Sequence, residues 1–127
     1  NYIAEILPQL INEVTKNKIN VLWLCDPMHG NTIKAKAGLK TRNFDTIKHE
    51  IEYFFNIHHQ HNTIPGGVHF ELTGDNVTEC IGGINNIQDV DLEEHYQTAC
   101  DPRLNNEQSL EMGFLIAELL QKRRISK

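Results

Sequence analysis

At 127 residues, with 39% hydrophobic and 23% charged side chains, the chain has the size and balance of one globular domain. Its net charge of −5 speaks against a nucleic-acid binder, which needs a basic face, and no apolar run approaches the roughly 20 residues of a membrane span. Cys25, Cys80 and Cys100 lie far apart and are odd in number, so a reducing compartment is expected rather than a disulfide framework. The first residues show neither the basic flank nor the cleavage site of a signal peptide, and a start on Asn1 is expected of part of a longer chain.

In chain order, Tyr2, Ile3, Ile6, Leu7, Leu10, Ile11 and Val14 recur at helical spacing, with Pro8 expected to open or kink the helix. "INVLWLC" (19–25) is a nearly continuous apolar run, as a strand buried on both faces requires. Residues 28–42 read as a polar, glycine-containing loop. Phe44, Ile47, Ile51, Phe54, Phe55 and His58 then mark an amphipathic helix capped by Asn43 or Asp45 and broken by Gly66-Gly67. "VHFELT" (68–73) alternates as a strand, with Val68, Phe70 and Leu72 on one face and His69, Glu71 and Thr73 on the other. Residues 77–81 read as a short helical turn and 95–100 as a third strand. Asn105 caps a final helix with Gln108 in capping-box position. Leu110, Phe114, Ala117 and Leu120 form its expected apolar stripe, down to the basic end Lys122-Arg123-Arg124.

Alternation of this kind implies parallel strands with helical crossovers. Three strands leave two bare edges, and a closed barrel needs about 250 residues. The expected fold is therefore α/β: a sector, about three βα units, of a (β/α)8 TIM barrel. In parallel α/β folds working residues gather where strands end. His29, just past the first strand, Glu71 on the second and Asp101 at the end of the third meet that condition. One imidazole and two carboxylates make an N,O donor set suited to a divalent metal.

Each of the three also has an ordinary explanation. A His after a strand is commonly a loop residue, and an Asp before Pro is a turn former. Glu71 is harder to dismiss, because a carboxylate on a buried strand needs a partner. His69 reads as a supporting hydrogen-bond partner rather than a ligand. His58-His59-Gln60-His61 reads as a solvated helix end, and Gly66-Gly67 and Gly82-Gly83 as turns outside any phosphate-loop frame. Lys34, Lys36, Lys40 and Arg42 form a basic loop, ordinarily solvated, which beside an active site would suit a phosphate.

Four stretches carry a resemblance: "CDPMHGNT" (25–32), "KTRNFD" (40–45), "PGGVHFELTGDNVTECIGG" (65–83) and "CDPRLNNEQSLE" (100–111). In order and spacing they resemble the C-terminal part of class II 3-deoxy-D-arabino-heptulosonate 7-phosphate (DAHP) synthases. The resemblance implies that residues 1–127 are the C-terminal portion of a single TIM-barrel catalytic domain whose N-terminal portion is absent. It implies condensation of phosphoenolpyruvate with erythrose 4-phosphate, the first step of the shikimate pathway, with a divalent cofactor, Mn2+ or Co2+. His29, Glu71 and Asp101 are then metal ligands, with His29 also beside phosphoenolpyruvate, and Lys40 and Arg42 bind substrate. A homo-oligomer in the cytoplasm (in a plant, the plastid) is expected, with no nucleic-acid or membrane partner.

The fourth ligand of the family, a cysteine from an early strand, lies outside this chain. Cys25 and Cys100 are poor substitutes, Cys100 being expected on the opposite strand face from Asp101. The isolated chain is expected to be inactive, and the alternative reading is an inactive barrel fragment with part of a metal site. A small module related to the facial-triad oxygenases is a further rival, though it wants two His and one carboxylate.

Overall fold

The computed structural model describes residues 2–125. Helix α1 (Tyr2–Lys16) runs through Pro8 unbroken and packs on α2 (Phe44–Gln60). Leu7 and Ile11 are buried and Ile3 packs beside them, while Tyr2, Ile6 and Leu10 stay exposed. The buried stripe therefore repeats every four residues and is narrower than the apolar pattern suggests. Helix α2 starts where Asn43 Oδ1 accepts the backbone N–H groups of Asp45 (2.9 Å) and Thr46 (3.2 Å). Its Phe44, Ile47, Ile51, Phe54, Phe55, Ile57 and His58 are buried. Each of the large apolar ones contributes about 1.5–3 kcal/mol by leaving water.

Strand β1 (Trp23–Cys25) pairs in parallel with β4 (Pro65–Val68). The parallel contact continues upward: His69 donates its backbone N–H to the Cys25 carbonyl, and a parallel bridge joins Leu72 to Leu104. The spatial order is thus β1, the 65–73 segment, then Leu104. Helix α3 (Asn106–Ile125) follows and packs on α2. The chain is α/β, with parallel pairing in this sheet. Gly66 and Gly67 lie inside β4 rather than in a breaking turn. A Cβ on Gly66 would meet the Trp23 carbonyl at 2.8 Å, and one on Gly67 the Leu24 side chain at 2.9 Å. Glycine lets β1 lie close across them.

Several expected elements are corrected. The "loop" 28–42 holds an antiparallel hairpin, β2 (Thr32–Lys34) with β3 (Lys40–Arg42), closed at Gly38 with φ 87°. Three-residue strands are too short to show periodicity. The strand expected at 68–73 is ladder-paired at 65–68, and Leu72 is exposed rather than joining Val68 and Phe70 against the core. Residues 77–81 form no helical turn; Ile81 is instead bridged in parallel to Asn43. There is no strand at 95–100; those residues are irregular, and the N–H groups of His95, Gln97, Thr98 and Cys100 are donated to side chains. His58 is fully buried, not solvated.

The stripe expected on α3 faces outward. Leu110 and Phe114 are 64% and 69% exposed, whereas Gln108, Met112 and Leu119 are buried. The helix is apolar on more than one side, and its cap settles the rotation. Asn105 Oδ1 accepts the Gln108 N–H (2.9 Å), Gln108 Oε1 accepts the Asn105 N–H (3.1 Å), and Gln108 Nε2 donates to the Cys80 and Gly82 carbonyls. The capping box is as expected.

Candidate functional site

The first side chain of the site is set by its own neighbours. Cys25 ends β1, and Asp26 folds back over the next turn. Its Oδ1 accepts the N–H groups of Met28 (3.0 Å) and His29 (3.2 Å), and His29 Nδ1–H donates to its Oδ2 (2.7 Å). Burial pushes the Asp26 carboxyl up, but donation from the Met28 N–H and from His29 outweighs it, so Asp26 titrates below its ordinary value. With Nδ1 engaged by Asp26, Nε2 is the ring nitrogen left to hold a ligand, and it lies 3.5 Å from Glu71 Oε1.

Glu71 sits where the 65–73 segment passes Leu104, whose backbone N–H bonds the Glu71 carbonyl (3.0 Å). Its Oε2 accepts from Arg42 Nη1, an ion pair in which the Arg42 side chain is wholly enclosed. Arg42 also donates through Nε to Thr32 Oγ1 (3.0 Å) and through Nη1 to the Pro102 carbonyl. Its buried Nη2 has no hydrogen-bond partner among the described residues.

Asp101 arrives from a loop, not from a strand end. Lys40 Nζ donates to its Oδ1 (3.2 Å), and this bond, with one from the Cys100 thiol (3.5 Å), holds its carboxyl below the ordinary range. Cys100 therefore lies on the same side as Asp101, contrary to the expected alternation, because no strand is present there to impose it. Cys25 and Cys80 are buried and their thiols are pushed up to about 12, chiefly by burial, so neither offers a thiolate.

One ligand atom from each of His29, Glu71 and Asp101 lies within 4.8 Å of the others. Donor atoms that close can share one ion of ordinary N,O coordination. The two carboxylates meet Arg42 and Lys40 as counter-charges, so the cluster is not a bare concentration of acid. Asp26, His29 and His69 form a second grouping within the same limit, all three exposed, with the His29 and His69 rings stacked 5.9 Å apart. Because Asp26 already occupies Nδ1, the first grouping uses His29 through its free nitrogen.

Of the five residues singled out from sequence, the fold brings His29, Glu71, Lys40, Arg42 and Asp101 into one connected network. Arg42 stands behind Glu71 rather than facing open solvent. Sequence reasoning missed Glu79, fully buried and bonded to the loop that carries Asp101. Its signal was an acid inside the apolar run Val77–Ile81, which burial obliges to find partners. Among the described residues, no helix is long and apolar enough to cross a membrane.

The class-II DAHP synthetase family profile matches residues 1–117. Phospho-2-dehydro-3-deoxyheptonate aldolase AroG of Mycolicibacterium smegmatis is 53% identical over 121 residues, 95% of this chain and 26% of that protein. The phospho-2-dehydro-3-deoxyheptonate aldolase of Streptomyces coelicolor is 52% identical over 117 residues, 92% of this chain and 26% of that protein. The chain thus spans about a quarter of the length of these relatives. With the profile covering nearly the whole chain, it belongs to the class-II DAHP synthetase family.

Proposed function

We propose that this chain is part of a DAHP synthase in which His29, Glu71 and Asp101 hold a divalent cation, Mn2+ or Co2+. The observation that carries the reading is the approach of their ligand atoms to within 4.8 Å from three distant parts of the chain. When bound, such a cation supplies Lewis acidity for the aldehyde oxygen of erythrose 4-phosphate. Asp26 keeps the His29 proton on Nδ1, so Nε2 faces the cation site and phosphoenolpyruvate lies beside the ring. Arg42 neutralises Glu71 from behind. Lys40, exposed on β3 and bonded to Asp101, supplies positive charge toward the substrate phosphates, with Arg42 adding to the field.

In the reaction, C3 of phosphoenolpyruvate bonds to the aldehyde carbon, whose oxygen becomes a hydroxyl. Water adds at C2, giving one proton to that oxygen, and the carbon–oxygen bond to phosphate then breaks as the ketone forms, the C2 hydroxyl proton leaving with the phosphate. Two anionic substrates must be held together, so the acceleration comes from orientation and preorganised charge.

For the fold, we infer a sector of a (β/α)8 barrel, residues 1–127 being a C-terminal portion of one catalytic domain. Leu22 and Leu24, alternate positions on the run that enters β1, are 73% and 63% exposed, an apolar surface suited to the interior of a closed barrel. The same bare face, with three ligands only, favours the second reading of the isolated chain, a partial barrel without turnover. A homo-oligomer in the cytoplasm, or in the plastid of a plant, completes the proposal.

The test is Mn2+-dependent condensation assayed with both substrates in the intact protein. His29→Ala is expected to abolish it while leaving the fold intact, and Glu71→Ala to abolish it at a further cost in stability, because it strips enclosed Arg42 of its counter-charge. Retained turnover in either variant overturns the site.

A further inference from the structure

The loop bearing Asp101 is built around a side chain that plays no part in the reading above. Glu79 is fully buried, and its carboxylate accepts five hydrogen bonds. Oε1 takes the backbone N–H groups of Gln97 (3.3 Å) and Thr98 (2.9 Å) and Nη2 of Arg103 (2.7 Å). Oε2 takes the backbone N–H (2.7 Å) and Nε (3.0 Å) of Arg103. Both ends of the 97–103 segment are therefore fastened to one anion, with Asp101 between them. Within the segment, Thr98 Oγ1 donates to the Asp101 carbonyl (2.9 Å) and accepts the Cys100 N–H (3.2 Å).

Glu79 is itself anchored toward the site. Its carbonyl accepts from Thr41 Oγ1 (2.9 Å), in β3 between Lys40 and Arg42. The segment 97–103 has no strand ladder, so these charge-assisted bonds do the positioning that a sheet would otherwise do. A two-pronged arginine contact adds direction as well as energy. A carboxylate that only plugged the core would not need donors from both ends of one loop.

We propose that Glu79 is a positioning residue of the cation site. It sets where the Asp101 carboxylate stands, and so the distance between that ligand and the His29–Glu71 pair. The inference rests on the metal reading above and adds to it the residue that makes the third ligand rigid.

The experiment is a double-substitution cycle on Mn2+ affinity in the intact protein, with Glu79→Gln, Asp101→Asn and both together. Glu79→Gln is expected to weaken binding about 10–100-fold, as loss of a group that orients a ligand does. The pair should bind within about threefold of Asp101→Asn alone, because the clamp acts only through Asp101. Amide exchange should rise across 97–103 and not in α2. An unchanged affinity in Glu79→Gln, or losses that multiply in the pair, overturns the inference. Wild-type affinity indifferent to Asp101→Asn overturns the metal reading and the inference together; sensitivity to Asp101→Asn but not to Glu79→Gln overturns the inference alone. If Glu79→Gln does not fold, Arg103→Lys enters the same cycle, since it keeps the charge and the backbone bonds but loses the two-pronged contact. A loss of about threefold or more that vanishes beside Asp101→Asn supports the clamp, and any other result overturns it.

Discussion

His29 and Asp101 belong to one cluster but are held in place by different means. Asp26, three residues before His29, fixes both its backbone and its ring, so that arm is built within one short peptide. Asp101 depends on Lys40 at its carboxylate and on Glu79 beneath its loop, both far off in the chain. The same division runs through the molecule. The helical side is apolar packing along α1, α2 and α3, whereas the 69–105 side is mostly irregular backbone whose polar groups are satisfied by buried Glu79, Arg42 and Gln108. A packed apolar face tolerates small changes of shape, but a buried charge stripped of its partner does not.

The harshest test of that contrast is Arg42→Met. It leaves Glu71, Thr32 and Pro102 without their shared donor and is expected to lower the unfolding free energy by about 3 kcal/mol or more in urea titration. Ile51→Val, in the middle of the apolar stripe, is expected to cost only about 1 kcal/mol. Equal costs would show the polar side to be held by packing after all.

Acid sharpens the comparison from the helical side, where His58 is the one polar member of the α2 stripe. It lies between Trp23 and Phe54, with Nδ1 bonded to Thr63 Oγ1 and Nε2 buried without a hydrogen-bond partner. Burial foremost, then the charges of Arg123 and His61, lowers its pKa from 6.5 to about 4. The unfolded chain therefore binds the proton that the folded one refuses. Stability from this group is complete above about pH 6.5 and is lost as pH falls toward 4, at up to ~1.4 kcal/mol per pH unit. Thermal unfolding of His58→Leu should show a shallower dependence across that window, and an unchanged slope would assign the acid sensitivity elsewhere.

Asp26→Asn addresses the local arm. It is expected to weaken Mn2+ binding about 10–100-fold with little change in melting temperature, because it frees the His29 ring rather than the fold. Long-range proton–nitrogen spectra should show His29 no longer confined to the Nδ1–H tautomer. The smallest effect is Asn43→Ala, which removes the cap of α2 at a cost of about 1 kcal/mol by the same urea titration.

Much of the helical side was readable in advance for the reason that makes it tolerant. The α2 stripe and its cap and the Asn105–Gln108 box are contiguous patterns, and contiguous patterns are what a sequence displays; the run at 19–25, expected as a strand buried on both faces, is a strand only at Trp23–Cys25 and leaves Leu22 and Leu24 exposed. The errors fall where spacing was too short or long-range partners decided the outcome. The β2–β3 hairpin has three-residue strands, and α3 offered two apolar sides between which only Gln108's bonds to Cys80 and Gly82 chose. The strand expected at 95–100 failed because Glu79 takes the N–H groups that a ladder would have used.

The sequence by itself determined the α/β alternation, the helix caps, the family and the residue types able to bind a cation, since each is carried by neighbours or by motif order. Tertiary structure alone decided that His29, Glu71 and Asp101 face one point, that Arg42 is enclosed behind Glu71, and that Glu79 anchors the last loop. The physical reason is the reach of the interactions. Caps and stripes close within a turn or two of chain, whereas a buried carboxylate is satisfied by whichever donors the completed fold brings to it.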